Sequence, residues 1–174
     1  MTPHDVLKKY FGYDAFRGGQ DEVICAVLGG RDAMAVMPTG AGKSLCYQVP
    51  ALMMDGVALV VSPLISLMRD QVMALVANGV AAAFINSSLT DAQTARVFSN
   101  ARAGRYKIIY IAPERLLTES MLSLVSALPI SLVAVDEAHC TSQWGNDFRP
   151  SYLDISKFVD MLPKRPVLIC SGTQ

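Results

Sequence analysis

The sequence predicts an α/β fold in which a mainly parallel sheet is covered by helices on both faces. Short apolar runs alternate with longer amphipathic segments along the 174 residues, and parallel strands need helix-length connections between them. The runs are apolar throughout, as strands buried on both faces require. Hydrophobic residues make up 52% of the chain and charged residues 17%, which excludes a disordered chain and fits one domain with a continuous core.

The predicted elements follow one another in a regular order. A capped helix opens the chain, because Thr2 precedes Pro3 and Asp5 in a typical helix-start pattern. Six buried strands are predicted over Ala33–Met37, Ala58–Ser62, Ala81–Ile85, Ile108–Ile111, Leu132–Val135 and Val167–Cys170. Six further helices are predicted over Asp21–Leu28, Ser44–Met53, Ile65–Ala77, Asp91–Arg102, Glu119–Ala127 and Tyr152–Met161. Ligands of such sheets bind beyond the carboxyl ends of the strands, so the residues after each strand are the functional candidates.

Charge and cysteine usage restrict the class of protein further. Fifteen basic residues balance fifteen acidic ones, so net charge indicates neither a nucleic-acid partner nor an acidic surface. The four cysteines lack CxxC and zinc-ligand spacing, which favours buried thiols in a reducing compartment; they are Cys25, Cys46, Cys140 and Cys170. Without a signal-peptide pattern or an apolar run of ~18 residues, we expect a cytoplasmic protein with no membrane partner.

A glycine-rich segment follows the first predicted strand. Gly40 and Gly42 allow successive backbone N–H groups to point into one concavity, and the following helix adds the positive end of its dipole. Lys43 would then reach the β- and γ-phosphates of a nucleotide, and the Ser44 hydroxyl would bind Mg²⁺. Met37 stands where the pattern GxxxxGK[ST] has its first glycine, and the alternative is a plain turn with an exposed lysine. The predicted phosphate-binding residues are Thr39, Gly40, Ala41, Gly42, Lys43 and Ser44.

Two carboxylates follow the predicted strand Leu132–Val135. Asp136 would lie at the carboxyl end of that strand, where it can bind Mg²⁺ directly or through water. Glu137 would orient and deprotonate the water that attacks the γ-phosphate. The alternative, an acidic helix N-cap, explains one carboxylate but not both. We therefore predict Lys43, Asp136 and Glu137 as the catalytic residues.

A phosphate loop followed by Asp-Glu-Ala-His on a later strand resembles the first RecA-like lobe of superfamily 2 helicases. Further segments are similar to the RecQ family of DNA helicases over nearly the whole chain: FGYDAFRGGQ (11–20), SPLISLMRDQV (62–72), YIAPERL (110–116), DEAHC (136–140) and SQWGNDFRP (142–150). The resemblance implies a three-layer RecA-like P-loop NTPase fold, with ATP and Mg²⁺ as cofactors. It also implies 3′–5′ translocation and unwinding of DNA, with single-stranded and partly duplex DNA as partners. DEAD-box RNA helicases, a competing class, lack the aromatic-rich segment 142–150.

The resemblance assigns the adenine pocket to Tyr13, Arg17 and Gln20. Their chemistry agrees, because an aromatic face, a planar cation and a carboxamide suit a purine base. Tyr13 as ordinary core and Gln20 as a helix cap are the alternatives.

Residues that follow other strands are implied to contact DNA. Ser62, Ser66, Arg69 and the backbone N–H groups near Pro113 would contact the sugar–phosphate backbone, although Arg69 also suits a solvated helix face. Trp144 and Phe148 suit a mobile loop that stacks on bases, with Arg149 near phosphate. Burial of Trp144 against the lobe is the alternative.

Two further features of the resemblance concern coupling and the end of the chain. The loop that holds Trp144 follows His139 closely, which suggests that DNA binding shifts the groups that activate water; Asn146 stands where the family commonly has His. Ser171 and Thr173 keep the hydroxyls of the motif that links hydrolysis to unwinding, while Gly172 and Gln174 replace its alanines.

The resemblance covers one lobe of a larger enzyme. Residues 1–174 match the first RecA-like domain, and RecQ-like enzymes have a second RecA-like lobe that supplies an arginine finger. We expect the lobe on its own to hydrolyse ATP weakly. The alternative is a natural nucleotide- and DNA-binding module without helicase activity.

Overall fold

The computed structural model describes residues 1–38, 42–136 and 148–173. Within these ranges the chain forms a six-stranded parallel sheet with helices on both faces, so the predicted α/β class is confirmed. The strands are β1 (Ala33–Pro38), β2 (Val57–Val61), β3 (Ala82–Ile85), β4 (Ile108–Ile111), β5 (Ile130–Val135) and β6 (Val167–Thr173). The α-helices are α1 (Pro3–Val6), α2 (Gln20–Leu28), α3 (Leu45–Met53), α4 (Ile65–Ala77), α5 (Asp91–Arg102), α6 (Glu119–Ser126) and α7 (Phe148–Asp160). A π-helical segment, Leu7–Phe11, continues α1, and a 3₁₀ turn spans Pro113–Arg115.

The order of the strands determines which helices cover which face. The sheet runs β1-β6-β5-β2-β4-β3 with all neighbours parallel. The chain moves in one direction along the sheet from β1 to β3 and returns from β3 to β6. Because parallel crossovers are right-handed, the covering helices change face when the direction reverses. Helices α3 and α4 accordingly pack on one face and α5, α6 and α7 on the other.

The two faces have separate apolar cores. Val60 and Leu168 belong to the core under α3 and α4, whereas Leu59 and Val133 belong to the core under α5, α6 and α7. Successive side chains of a strand point to opposite faces, so these fully apolar strands supply both cores. A smaller apolar cluster joins α1, the π-helical segment, α2 and α3, and it fixes the amino-terminal segment beside α3.

Strand β1 departs from the prediction that every strand is buried on both faces. Met34 is 65% exposed and Val36 is 56% exposed, while Ala35 and Met37 are buried. The reason is position: β1 lies at an edge of the sheet, and the core under α5, α6 and α7 contains no β1 residue.

Two predicted boundaries near the carboxyl terminus are wrong. Strand β6 continues beyond Cys170 to Thr173, because the edge strand β1 pairs with it as far as Pro38 opposite Thr173. Helix α7 begins at Phe148, so Phe148 and Arg149 belong to a helix and not to the predicted loop. Pro150, the third residue of α7, is tolerated there because first-turn N–H groups have no partner within the helix.

The cap of α1 and the burial of the cysteines can also be compared with the predictions. The predicted cap of α1 is confirmed, with Thr2 and Asp5 bonding to each other's backbone N–H groups. Cys46 and Cys170 are buried as predicted, but Cys25 is exposed on the outer side of α2; Cys140 lies outside the described residues. In the described ranges there is no helix with the length and apolar character needed to cross a membrane.

Candidate functional site

A buried ion pair lies at the carboxyl edge of the sheet. Asp136 directly follows β5 and is 5% exposed, and Lys43 lies just before α3 and is 7% exposed. The Lys43 Nζ atom is 3.8 Å from Asp136 Oδ1. Charged side chains are rarely buried unless they are paired or hydrogen-bonded. The structure thus brings together the lysine and the carboxylate that were predicted to act on one phosphate group.

The backbone at Gly42, directly before Lys43, has a conformation that favours glycine. Its φ of +77° lies in the left-handed region, which glycine adopts without steric cost. The Gly42 carbonyl accepts a hydrogen bond of 2.9 Å from Gln20 Nε2, and Gln20 Oε1 accepts one of 2.8 Å from the Arg17 backbone N–H. Gln20 is 2% exposed. Its carboxamide therefore joins the backbone at Gly42 to the backbone at Arg17, just before α2.

Tyr13 lies near Gly42 and Ser44. It is 51% exposed and lines a cavity of about 200 Å³. The polar residues that line this cavity with it include Gly42, Ser44, Gln48 and Gln71. Arg17 is exposed and does not line the cavity. Of the three residues predicted for adenine, Tyr13 thus lies at an open cavity, whereas Gln20 has its amide turned toward the protein backbone.

A chain of buried polar side chains leads away from Asp136. The Tyr47 hydroxyl donates to Asp136 Oδ2 at 3.3 Å and lies 2.8 Å from the Tyr110 hydroxyl. Gln48 Nε2 donates to the Tyr110 hydroxyl at 3.1 Å and to Gln71 Oε1 at 3.2 Å. Sequence reasoning missed these residues. The available signal was a tyrosine inside the apolar strand Ile108–Ile111, since a buried hydroxyl needs a partner.

Burial keeps the acidic groups around Asp136 in their neutral forms. It raises the pKa of Tyr47 and of Tyr110 well above the ordinary tyrosine value, and the negative charge of Asp136 acts in the same direction. Burial and the Asp136 charge also raise the pKa of the Cys46 thiol to about 12. The two phenols therefore retain the protons that they donate.

The residues predicted to contact DNA differ in their exposure. Ser66 and Arg69 are exposed in the first half of α4, which starts near the carboxyl edge of the sheet. Ser62 is buried, and its Oγ accepts a hydrogen bond of 3.3 Å from the Leu64 N–H. Ser171 is partly buried in β6. Among Ser62, Ser66, Arg69 and Ser171, whose burial the structure describes, Ser66 and Arg69 are the exposed ones.

The backbone near Pro113 forms a hydrogen-bonded 3₁₀ turn. The N–H groups of Arg115 and Leu116 donate to Ala112 and Pro113 carbonyl oxygens in the 3₁₀ turn. These two donors are therefore already used inside the turn, and the contact predicted between N–H groups near Pro113 and a nucleic-acid backbone stays a prediction.

Several predicted site residues lie outside the described residues, namely Thr39, Gly40, Ala41, Glu137, His139 and Trp144. Phe148 and Arg149 open α7 and Thr173 ends β6. The roles predicted for all of these residues stay predictions.

Comparison with known protein families gives a result that fits the arrangement of Gly42, the buried Lys43 and Asp136 at the end of β5. The family model described as DEAD/DEAH box helicase matches residues 17–174. The chain belongs to the DEAD/DEAH box helicase family. It is 50% identical over 172 residues to the ATP-dependent DNA helicase RecQ of Haemophilus influenzae, a match that covers 99% of this chain and 28% of that protein. It is 48% identical over 165 residues to RecQ of Bacillus subtilis, covering 94% of this chain and 28% of that protein. The expected resemblance to RecQ helicases is confirmed, and the chain spans just over a quarter of the length of these relatives.

Solved helicase structures share the fold. The DUF1998 helicase MrfA, crystallised with DNA and AMPPNP, superposes with a TM-score of 0.76 at 19% identity and covers 99% of this chain and 26% of its own. A hypothetical ATP-dependent RNA helicase from Sulfolobus tokodaii gives a TM-score of 0.76 at 21% identity, covering 98% of this chain and 50% of its own. These likenesses confirm the RecA-like architecture that the resemblance implied.

Proposed function

We propose that this chain is the ATP-binding motor lobe of a RecQ-like DNA helicase, which couples ATP hydrolysis to 3′–5′ translocation and unwinding of DNA. The observation that carries the proposal is the buried Lys43–Asp136 pair beside the left-handed Gly42. That arrangement puts one cation and one carboxylate at the edge where parallel sheets bind their ligands. The similarity to RecQ helicases supports DNA as the polymer.

The phosphate-binding half of the site is built around α3. Lys43 and Ser44 immediately precede this nine-residue helix, whose amino-terminal N–H groups attract negative charge. In the proposed complex the Lys43 ammonium donates to β- and γ-phosphate oxygens. Thr39, Gly40, Ala41 and Gly42 would supply backbone N–H groups to the same phosphates. Tyr13 would stack on adenine at the cavity that it lines.

The residues present fit Mg²⁺ as the accompanying metal. Mg²⁺ prefers a few oxygen ligands together with phosphate oxygens rather than a cage made wholly of protein groups. Within the described ranges no cluster of three His, Cys, Asp or Glu side chains could hold an ion alone, while Asp136 and Ser44 offer a carboxylate and a hydroxyl. When bound there, Mg²⁺ would neutralise charge on the phosphate oxygens.

Proton transfer is assigned to Glu137, the next residue along the chain from Asp136. Its carboxylate would orient the attacking water and accept its proton. The neighbouring Tyr47, Tyr110 and Cys46 groups cannot take that role, because their raised pKa values keep them protonated at neutral pH.

We further propose that DNA binds along the carboxyl edge of the sheet. Ser62, Ser66 and Arg69 would contact the sugar–phosphate backbone, and Trp144, Phe148 and Arg149 would contact bases and phosphate. Residues His139, Ser171 and Thr173 would couple DNA binding to hydrolysis. A second RecA-like lobe would complete the DNA track and supply the arginine finger, which contributes about 10³–10⁵ in rate in related ATPases. The cytoplasmic location stays a prediction.

The test compares residues 1–174 with a chain extended through a second RecA-like lobe. Both should bind Mg·ATP, and only the extended chain should hydrolyse it rapidly with single-stranded DNA and unwind a duplex with a 3′ tail. Equal stimulation by RNA and single-stranded DNA would contradict the DNA assignment. Failure of both folded proteins to bind ATP would contradict the motor function as a whole.

A further inference from the structure

Several side chains are linked to Asp136 by hydrogen bonds. The Tyr47 hydroxyl has one hydrogen, and it donates this hydrogen to Asp136 Oδ2. Either hydroxyl can be the donor in the 2.8 Å contact between Tyr47 and Tyr110, and when Tyr47 donates to Asp136 it is Tyr110 that donates to Tyr47. Tyr110 accepts in turn from Gln48 Nε2, whose other hydrogen goes to Gln71 Oε1. A continuous path of hydrogen bonds thus runs from the Gln48 amide through Tyr110 and Tyr47 to the carboxylate.

The side chains that form these hydrogen bonds are buried. Tyr47 and Tyr110 are 0% and 1% exposed, and Gln48 is 4% exposed. Water cannot readily replace a donor lost at such a depth, so the orientation of the carboxylate depends on the Tyr47 hydroxyl that bonds to it directly. In this arrangement Tyr47 holds Oδ2, and Oδ1 is the oxygen that faces Lys43.

Resting on the function proposed above, we infer that Tyr47 is a positioning residue that orients Asp136 toward the metal of the nucleotide complex. The phenol does not touch substrate or metal; it acts through the carboxylate. Tyr110 holds the Tyr47 hydroxyl, and Gln48 holds Tyr110. Outer partners of metal-binding carboxylates typically contribute about 10–100-fold in metal affinity or activity. The hydroxyl of Tyr47 should therefore strengthen metal binding and leave metal-free nucleotide binding unchanged.

The experiment measures Mn²⁺ affinity by electron paramagnetic resonance, with residues 1–174 and saturating ADP. Tyr47→Phe removes only the hydroxyl, and we expect its Mn²⁺ affinity to fall about tenfold. Tyr110→Phe is the matched control. It breaks the same 2.8 Å contact between the hydroxyls but leaves the bond from Tyr47 to Asp136, so its Mn²⁺ affinity should stay within about twofold of the parent chain. ADP affinity measured with EDTA should be unchanged in both variants.

A double variant protects the test against misfolding. Tyr47→Phe leaves the buried Tyr110 hydroxyl without an acceptor, whereas removing both hydroxyls moves the lost bond to one hydrogen of the Gln48 amide. The Tyr47→Phe/Tyr110→Phe chain is thus a second protein that lacks the Tyr47 hydroxyl but has a different packing defect, and it should show the same weakened Mn²⁺ binding.

The outcomes separate this inference from the proposed function. Parent-like Mn²⁺ affinity in Tyr47→Phe or in the double variant overturns the positioning role, and so does an equal loss in Tyr110→Phe. Failure of the folded parent chain to bind ADP with or without Mn²⁺ would instead overturn the nucleotide-binding function on which the inference rests.

Discussion

Replacing Gly42 by alanine tests how the phosphate loop is held. The backbone at Gly42 has a φ of +77°, and a Cβ atom there would lie 2.7 Å from Gln20 Nε2. The left-handed conformation costs an alanine about 1–2 kcal/mol. The Gln20 amide must also move, which breaks its bond to the Gly42 carbonyl and leaves buried polar groups unsatisfied at a further cost of about 1–3 kcal/mol. We expect Gly42→Ala to lower the free energy of unfolding by about 2–5 kcal/mol.

Urea denaturation of the variant measures this loss, and the chain supplies its own control. Gly79 has a φ of +86° with no atom within 4 Å of an added Cβ, so Gly79→Ala should lose only the conformational term of about 1–2 kcal/mol. In a Gln20→Ala background the two glycine replacements should cost the same. Equal costs in the parent chain would refute the view that the Gln20 amide holds the phosphate loop.

Three other predictions concern the site and its surroundings. Glu137→Gln should keep ATP affinity and lose most hydrolysis, because it removes the proposed base and no phosphate contact. Steady-state turnover and ATP titration measure these two properties, and retained turnover would show that Glu137 is not the base. Trp144→Ala, in a chain with a second lobe, should abolish most stimulation of hydrolysis by single-stranded DNA, and full stimulation would count against coupling through the loop. Iodoacetamide at pH 8 should modify the exposed Cys25 and spare Cys46. The buried Cys46 thiol has a pKa raised to about 12 and so lacks the reactive thiolate. Equal labelling of the two cysteines, measured by peptide mass spectrometry, would contradict the described burial.

The sequence was most informative where one local pattern determined one element. An apolar run flanked by turn residues predicted the strand Ile108–Ile111, and helical spacing predicted the helices Ile65–Ala77 and Asp91–Arg102. The bounds of all three elements match the structure. The strand-loop-helix context also predicted that Lys43 and Asp136 meet, because both follow strands and all strands of this sheet end at the same edge.

Other features depend on contacts between distant residues, which a linear pattern does not contain. The exposure of Met34 and Val36 follows from the edge position of β1, and the extension of β6 to Thr173 follows from its pairing with β1. The bonds between Tyr47 and Tyr110 join residues 63 positions apart. Gln20 and Gly42 are 22 positions apart, and their bond gives Gln20 a structural contact that its predicted adenine role did not include.

Calorimetric titration of Mg·ADP into folded residues 1–174 and into a Lys43→Met variant tests the nucleotide site most directly. Methionine keeps most of the buried aliphatic stem and removes the ammonium, whose hydrogen bonds to phosphate are each worth about 1.5–3 kcal/mol. The parent chain should bind one Mg·ADP, and the variant should bind it at least about tenfold more weakly. Equal affinity of the two proteins, or no heat from the folded parent chain, would contradict the assignment of Lys43 and its edge of the sheet to nucleotide binding.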